Sequence, residues 1–277
     1  MPRRSGRRRR AGTYDEGARL IERFYRIDYK GQPRYAVERD GNWRLIDGDI
    51  FGGYTEGEPI ASSGHRLLAP VNPSKIVCVG LNYKDHAAEV KKPLPAEPLI
   101  FIKPSTAVIG PSASITLPDG VGRVDHEAEL AVVIGRRATR VRAEDAHQYV
   151  FGLTCVNDVT ARDLQVQGAG YTRAKGWDTF APVGPCLARG LDYTAPAGLS
   201  VEGWVNGTRR QFSSTRELIF GIPKLIEYIS TNMTLLPGDI ISTGTPSGIG
   251  PLNAGDTVTI KVDGVGELTN PVRSADR

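Results

Sequence analysis

DHEAELAVVIG, residues 125–135, places two glutamates one residue apart at the head of an apolar run. Side chains of a strand alternate between its two faces, so as a strand this stretch points Glu127 and Glu129 the same way. Like charges side by side on one face repel, and a half-buried strand usually carries its carboxylates elsewhere. The stretch therefore makes two statements. The chain is built on sheet, and something between the two carboxylates makes their alignment tolerable.

Neighbouring segments agree with the first statement. Upstream, KIVCVG (75–80) and PLIFIKP (98–104) read as strands, and ASITLPDGVGR (113–123) supplies another before a glycine turn. Downstream, GLTCVNDVT (152–160) is a further strand, and residues 234–272 form short strands between Gly-containing turns. Helical signals are few. LNYKDHAAEV (81–90) is a short helix with Asn82 as its expected N-cap, ending before Lys91-Lys92-Pro93. RAEDAHQYVFG (142–152) carries acids in its first turn and Gly152 just past its expected end. FSSTRELIFGIPKLIEYISTN (212–232) holds one or two helices, with Pro223 in a first turn. With 32 glycines and many short strands, the fold class is a strand-rich α+β rather than a regular alternation of strand and helix.

Residues 23–48 alternate as short strands broken by YKGQP and RDGN, and LLAPVNPSK (67–75) then reads as a connector. The expected organisation is a basic tail over 1–22, a small N-terminal unit over 23–72 and a larger domain over 73–277. At 277 residues, with 40% hydrophobic and 24% charged side chains, the chain has an ordinary globular composition. No apolar stretch approaches the roughly 18 residues needed to cross a bilayer. Cys78, Cys155 and Cys186 are odd in number and lack ligand-like spacing. They read as small buried residues of a reducing, cytoplasmic compartment.

The net charge of +4 comes from MPRRSGRRRR, which holds six arginines, leaving 29 basic against 31 acidic residues. A tail of this kind is either an arm for nucleic acid or a membrane surface, or a plain disordered extension. The near-neutral body favours the extension, so neither nucleic acid nor membrane is an expected partner.

Aligned glutamates call for a counter-charge, and a divalent cation supplies it most simply. Asp158, placed after an apolar strand where a lone carboxylate is costly, is the candidate third ligand. Three carboxylates without His or Cys make an all-oxygen site suited to Mg2+ or Mn2+ rather than Zn2+. A plainer reading puts Glu127 and Glu129 at an exposed strand end, paired with Arg123 or Lys175. His86 and Glu89 lie three apart on the short helix and share its face. His65, His126 and His147 have no comparable setting, and His126 should face away from Glu127.

Five ordered motifs bear on the choice: GLNYKDHAAE (80–89), HEAELAVVIG (126–135), NDVTARDLQ (157–165), AKGWDTFAPVGP (174–185) and STGTPSGIG (242–250). Together they resemble the fumarylacetoacetate hydrolase family over about residues 73–273. The N-terminal unit resembles the extra domain of its acylpyruvate hydrolase and hydroxyheptadienedioate isomerase branch. The resemblance implies a mixed β-sandwich roll with a small N-terminal α+β unit, Mg2+ or Mn2+ on Glu127, Glu129 and Asp158, and 2-oxo acid substrates. It also implies a His86–Glu89 pair that activates water and Lys175 as the cation beside the metal. Arg162, Gln165, Gly244 and Thr245 are the implied substrate contacts. Phe101 and Lys103 fall nearby without a firm role, and a homodimer is the expected assembly. The implied activity is hydrolysis of the C–C bond of 2,4-dioxo acids. The alternatives are isomerisation of 2-hydroxy-dienedioates and decarboxylation of oxaloacetate at the same site.

Overall fold

In the computed structural model, residues 20–165 and 170–275 are described; the basic tail expected over 1–22 lies, up to residue 19, outside them. The chain opens with a meander of four antiparallel strands, β1 (Glu22–Tyr29), β2 (Gln32–Arg39), β3 (Asn42–Asp49) and β4 (Gly53–Ile60). The tight turns at Lys30-Gly31 and Asp40-Gly41 have positive φ at both residues, as two-residue hairpins require. No helix occurs among the described residues of this unit, which differs from the α+β unit that the resemblance implies. Its strands alternate apolar and polar residues, and each apolar face finds a partner without a helix. Phe24, Val37 and Ile46 join one core cluster, while Ile27, Ala36 and Trp43 form another.

The short β5 (Arg66–Leu67) pairs with β1 and leads to β6 (Ile76–Gly80). Helix α1 (Lys84–Glu89) follows, then β7 (Leu99–Lys103), β8 (Val108–Ile109), β9 (Ile115–Leu117) and β10 (Val124–His126). After Glu127 come β11 (Ala128–Ile134), a 3-10 helix over Ala143–Tyr149 and β12 (Val150–Asn157). Gly152 lies inside β12 instead of capping the preceding helix, because Val150 pairs with Ile134 and Gly152 itself with Val133 of β11. β13 (Thr160–Ala161), the single-turn α2 (Thr172–Lys175) and β14 (Ala181–Arg189) complete this half. The remainder comprises β15 (Ser200–Val205), β16 (Thr208–Ser214), α3 (Ile222–Asn232), β17 (Ile240–Ser242), β18 (Gly250–Pro251), β19 (Thr257–Val262) and β20 (Gly266–Ser274).

The main sheet runs in the order β4-β3-β2-β1-β14-β12-β11-β17-β6-β7. The N-terminal meander is therefore hydrogen-bonded into the body, through Phe24 opposite Leu187 on β14. A second sheet, β16-β15-β19-β20-β9, packs across it. β11 is central and buried on both faces: Leu130, Val132 and Ile134 enter the inter-sheet core, while Ala131 and Val133 enter the core on the opposite face. Each of the Leu, Val and Ile side chains contributes roughly 1.5–3 kcal/mol on burial. Gly203 on β15 allows the sheets to approach at the glutamates, since a Cβ there would stand 3.2 Å from Cβ of Ala128 and 2.7 Å from Oε1 of Gln211. Helix α3 has Pro223 in its first turn and buries Leu225, Ile226 and Ile229 against the inter-sheet core. No helix among the described residues is long and apolar enough to cross a membrane.

Candidate metal centre and its proton-transfer pair

Glu127 sits at the break between β10 and β11, with Glu129 on β11 and Asp158 just beyond the end of β12. Antiparallel pairing sets Ala128 opposite Asn157, and Asp158 N–H donates to the Glu127 carbonyl at 2.9 Å. One carboxylate oxygen from each of the three acids lies within 4.8 Å of the others. They are 5%, 2% and 1% exposed, so the plainer reading of an exposed strand end does not hold.

Cations surround two of the three acids. Lys175 Nζ donates to Glu127 Oε2 at 2.7 Å and to Asp158 Oδ2 at 2.6 Å. Lys103, fully buried at the end of β7, donates to Asp158 Oδ1 at 2.5 Å and to the Val159 carbonyl at 3.0 Å. Arg162 reaches Glu127 Oε1 at 2.6 Å and Asp125 Oδ2 at 2.8 Å, while Arg123 holds Asp125 Oδ1. Glu129 differs. Its hydrogen bonds come from the Ser242 hydroxyl at 2.6 Å and the Gly244 N–H at 2.9 Å, neither of them charged.

The electrostatics follow from these partners. Burial favours the neutral form of Glu127, but Lys175 and Arg162 outweigh it and hold its carboxyl below the usual carboxylate range. Burial, reinforced by Asp158 and Glu127, pushes Glu129 well above that range. Burial also works against the Lys175 ammonium, yet Asp158 and Glu127 prevail and keep it protonated. Three acids (Asp125, Glu127 and Asp158) are thus paired with four bases (Lys103, Arg123, Arg162 and Lys175), and Glu129 has no basic partner among the described residues. The donor set fits a hard divalent cation: three clustered carboxylates, one of which lacks a charged partner.

A second group lies at the other end of one turn. His86 Nδ1 and Glu89 Oε2 are 2.8 Å apart on α1, as their spacing predicts. Glu89 Oε1 accepts the Gly248 N–H at 2.9 Å, and Asp85 Oδ2 accepts the Ser247 hydroxyl at 3.5 Å. The 242–250 turn therefore holds Glu129 through Ser242 and Gly244, and Glu89 through Gly248. Gly244 has φ +99°, and a Cβ there would stand 2.8 Å from Cβ of Asn82. Asn82 is not the side-chain cap of α1. Its amide donates to the carbonyls of Phe220 and Thr243, its Oδ1 accepts the Phe220 N–H, and Tyr83 takes the N-cap position.

The other expected contacts divide. Gln165 Oε1 accepts from Arg162 at 2.5 Å, so Arg162 and Gln165 flank the trio together. Gly244 N–H serves Glu129, and the Thr245 hydroxyl donates to the Ala128 carbonyl while accepting from Gln211. In this arrangement both serve the protein. His126 does face away from Glu127, as alternation requires, with Nδ1 2.9 Å from Gln211 Oε1. Burial lowers its pKa and keeps it neutral. Phe101 packs beneath Lys175, its ring centroid 5.0 Å from Nζ.

Asp125, Lys103, Ser242 and Gln211 are structural partners that sequence reasoning did not assign. Asp125 adjoins His126-Glu127, and the PLIFIKP stretch ends at Lys103, so both had a local signal. Gln211 had none: a polar residue on a strand is ordinarily exposed, yet this one is fully buried. Its side chain binds His126, Ala128 N–H, Thr245 and the Pro246 carbonyl.

Residues 75–273 match the model of the family described as fumarylacetoacetate (FAA) hydrolase C-terminal, and residues 22–70 match Rv2993c-like, N-terminal. Protein Rv2993c of Mycobacterium tuberculosis is 51% identical over 207 residues, 75% of this chain and 78% of that protein. Oxaloacetate tautomerase YisK of Bacillus subtilis is 44% identical over 219 residues, covering 75% and 73% of the two chains. The crystal structure of 2-hydroxyhepta-2,4-diene-1,7-dioate isomerase from Mycobacterium marinum superposes with a TM-score of 0.84 at 42% identity, over 92% of this chain and 99% of that one. Maleylpyruvate hydrolase from Sphingobium sp. SYK-6, in complex with manganese(II) and pyruvate, gives a TM-score of 0.76 at 32% identity, over 92% and 100%.

Proposed function

The chain belongs to the fumarylacetoacetate hydrolase family, and on that premise we propose that it is a divalent-metal-dependent hydrolase cleaving the C–C bond of 2,4-dioxo acids of the acylpyruvate type. One observation carries the reading: a single turn joins a buried carboxylate trio to a His–Glu pair.

Glu127, Glu129 and Asp158 would hold Mg2+ or Mn2+. Such an ion would supply chelation of the 2-oxo acid and stabilisation of negative charge developing on its C2 oxygen. The partners of the trio support this assignment: Glu127 and Asp158 are paired with basic side chains, while Glu129 is held only by a hydroxyl and a backbone N–H, leaving it the carboxylate whose charge a cation would satisfy.

With Glu89 orienting the His86 Nδ1–H, Nε2 is the basic nitrogen and takes the proton of the attacking water. Water oxygen bonds to the C4 carbonyl carbon and the C3–C4 bond breaks, its electron pair passing to the pyruvate enolate. A carboxylic acid and pyruvate result once C3 is protonated. The Lys175 ammonium lies against Glu127 and Asp158, suited to support the developing negative charge or to deliver that proton. Arg162 and Gln165 would grip the pyruvyl end, the Gln165 amide donating while its carbonyl is held by Arg162. Gly244 and Thr245, bonded to Glu129 and to the Ala128 carbonyl, would border the substrate beside Glu129.

A second reading uses the same trio without water attack, as a tautomerase or isomerase of 2-oxo dicarboxylates, with decarboxylation of oxaloacetate as a related outcome. The similarity to a tautomerase at 44% and an isomerase at 42%, against 32% for a hydrolase, favours it. Assays of acetylpyruvate, fumarylpyruvate and oxaloacetate, with and without Mn2+, separate the two. Hydrolysis predicts metal-dependent release of pyruvate from the dioxo acids. His86→Ala should lower that rate by about 10²–10⁴-fold, the usual worth of a general base. Loss of the oxaloacetate enol absorbance with no cleavage of any dioxo acid would replace hydrolysis with tautomerisation.

We also infer a homodimer. Leu99 and Ile102 lie on the edge strand β7 and are each 43% exposed, and Val90 and Leu94, in the segment leading to it, are 38% and 56% exposed, apolar surface that a second copy would cover. Light scattering on the eluted protein tests it.

A further inference from the structure

Tyr83 is fully buried, yet its hydroxyl has no hydrogen-bond partner among the described residues. Buried polar groups are almost always paired, so an orphan beside a candidate active site asks for an explanation. Looseness of the backbone does not provide one. Tyr83 is extended, with φ −115° and ψ 134°, and its carbonyl accepts the Ala87 N–H at 2.9 Å in the first turn of α1. It forms an antiparallel bridge with Leu218, and the Asn82 carbonyl before it accepts the Ile219 N–H. Asn82 in turn is clamped between Phe220 and Thr243, against a glycine at 244 that leaves no room for a side chain. The backbone at Tyr83 is therefore fixed between the helix that carries His86 and the turn that holds Glu129.

Burial, with Glu129 and Asp85 nearby, raises the Tyr83 pKa, so the hydroxyl stays protonated and acts as a donor. Among the described residues none accepts a hydrogen bond from it. We propose that the Tyr83 hydroxyl is a ligand-contacting group that donates its hydrogen bond to an oxygen of the 2-oxo acid bound beside Glu129. This inference rests on the metal-dependent 2-oxo acid reading above. It assigns Tyr83 to substrate positioning: the free protein carries an unpaired donor that substrate binding satisfies.

The test is Tyr83→Phe, which removes one oxygen and keeps the ring. Oxalate, an unreactive mimic of the pyruvate enolate, serves as probe in titration calorimetry with Mn2+ present, and ligand-free protein is melted in parallel. An orphan hydroxyl stabilises nothing in the free state, so the variant should melt at or above the temperature of the unsubstituted protein. Loss of a hydrogen bond to a charged ligand should weaken oxalate binding by about tenfold or more. Equal oxalate affinity in the two proteins overturns the proposal. So does a lower melting temperature of the ligand-free variant, or its failure to fold, since either means the hydroxyl has a structural partner. If the unsubstituted protein itself does not bind oxalate with Mn2+, the 2-oxo acid reading fails, and this inference with it.

Discussion

Glu129 and Asp158 are both buried carboxylates of one cluster, but their partners give them opposite roles in stability. Asp158 neutralises two buried lysines, Lys103 and Lys175. Asp158→Asn leaves both short of counter-charge, and breaking buried pairs of this kind costs about 3–5 kcal/mol. Glu129 has only Ser242 and Gly244 as partners and is pressed toward its neutral form by burial and by its acidic neighbours. Glu129→Gln should therefore leave the melting temperature of the metal-free protein unchanged or higher, while Asp158→Asn lowers it, and both should lose Mn2+ binding. Thermal denaturation and calorimetry check the pair. The same imbalance sets a pH dependence. A raised carboxyl pKa in the fold means that Glu129 holds its proton above the usual carboxylate range, and a cation must displace it. Mn2+ affinity should rise with pH between that range and the raised value, with proton release that disappears in Glu129→Gln. A flat affinity over that interval would refute the assignment.

At the scale of elements, the 242–250 turn and the strand β16 form one unit. Gln211 on β16 reaches β11 through Ala128 N–H, His126 at the end of β10, and the turn through Thr245 and Pro246. Gln211→Leu keeps an apolar body but leaves the Ala128 N–H without its acceptor, at about 1–3 kcal/mol for each buried group left unpaired. For a chain of this size that is a fall of roughly 2–4 °C per kcal/mol in the melting temperature. Metal affinity should weaken along with it, because Ala128 lies between Glu127 and Glu129. Helix α1 shows how local spacing works at this scale. Residues i and i+3 meet on any helix, so the His86–Glu89 pair is readable from the chain before its fold is known. The docking of that pair on Gly248 is not, since it joins residues 159 apart.

In the whole molecule, the meander of residues 22–60 continues the main sheet rather than standing apart from it. Glu22 bonds Arg189, and Phe24 packs on Phe151, across the join. A chain beginning at residue 73 would expose the β14 edge together with Phe151. It should melt lower and self-associate, as judged by thermal denaturation and light scattering. An unchanged melting temperature and a single small species would show that the two parts fold independently. The turn sequences YKGQP and RDGN announce the hairpins of this meander, but nothing in them shows that its first strand pairs with β14.

Alternation, i,i+3 spacing and turn chemistry are properties of neighbouring residues, and they carry the strand of residues 128–134, the His86–Glu89 pair and the three candidate ligands. Charge balance is not such a property. Lys103 meets Asp158 across 55 residues, and Ser242 meets Glu129 across 113. The buried setting of Gln211 and the unpaired hydroxyl of Tyr83 likewise exist only once two sheets and a turn close around them. A buried carboxylate takes its protonation state and its partners from whatever the crossing chain brings within a few ångströms, and that is decided by packing rather than by order along the chain.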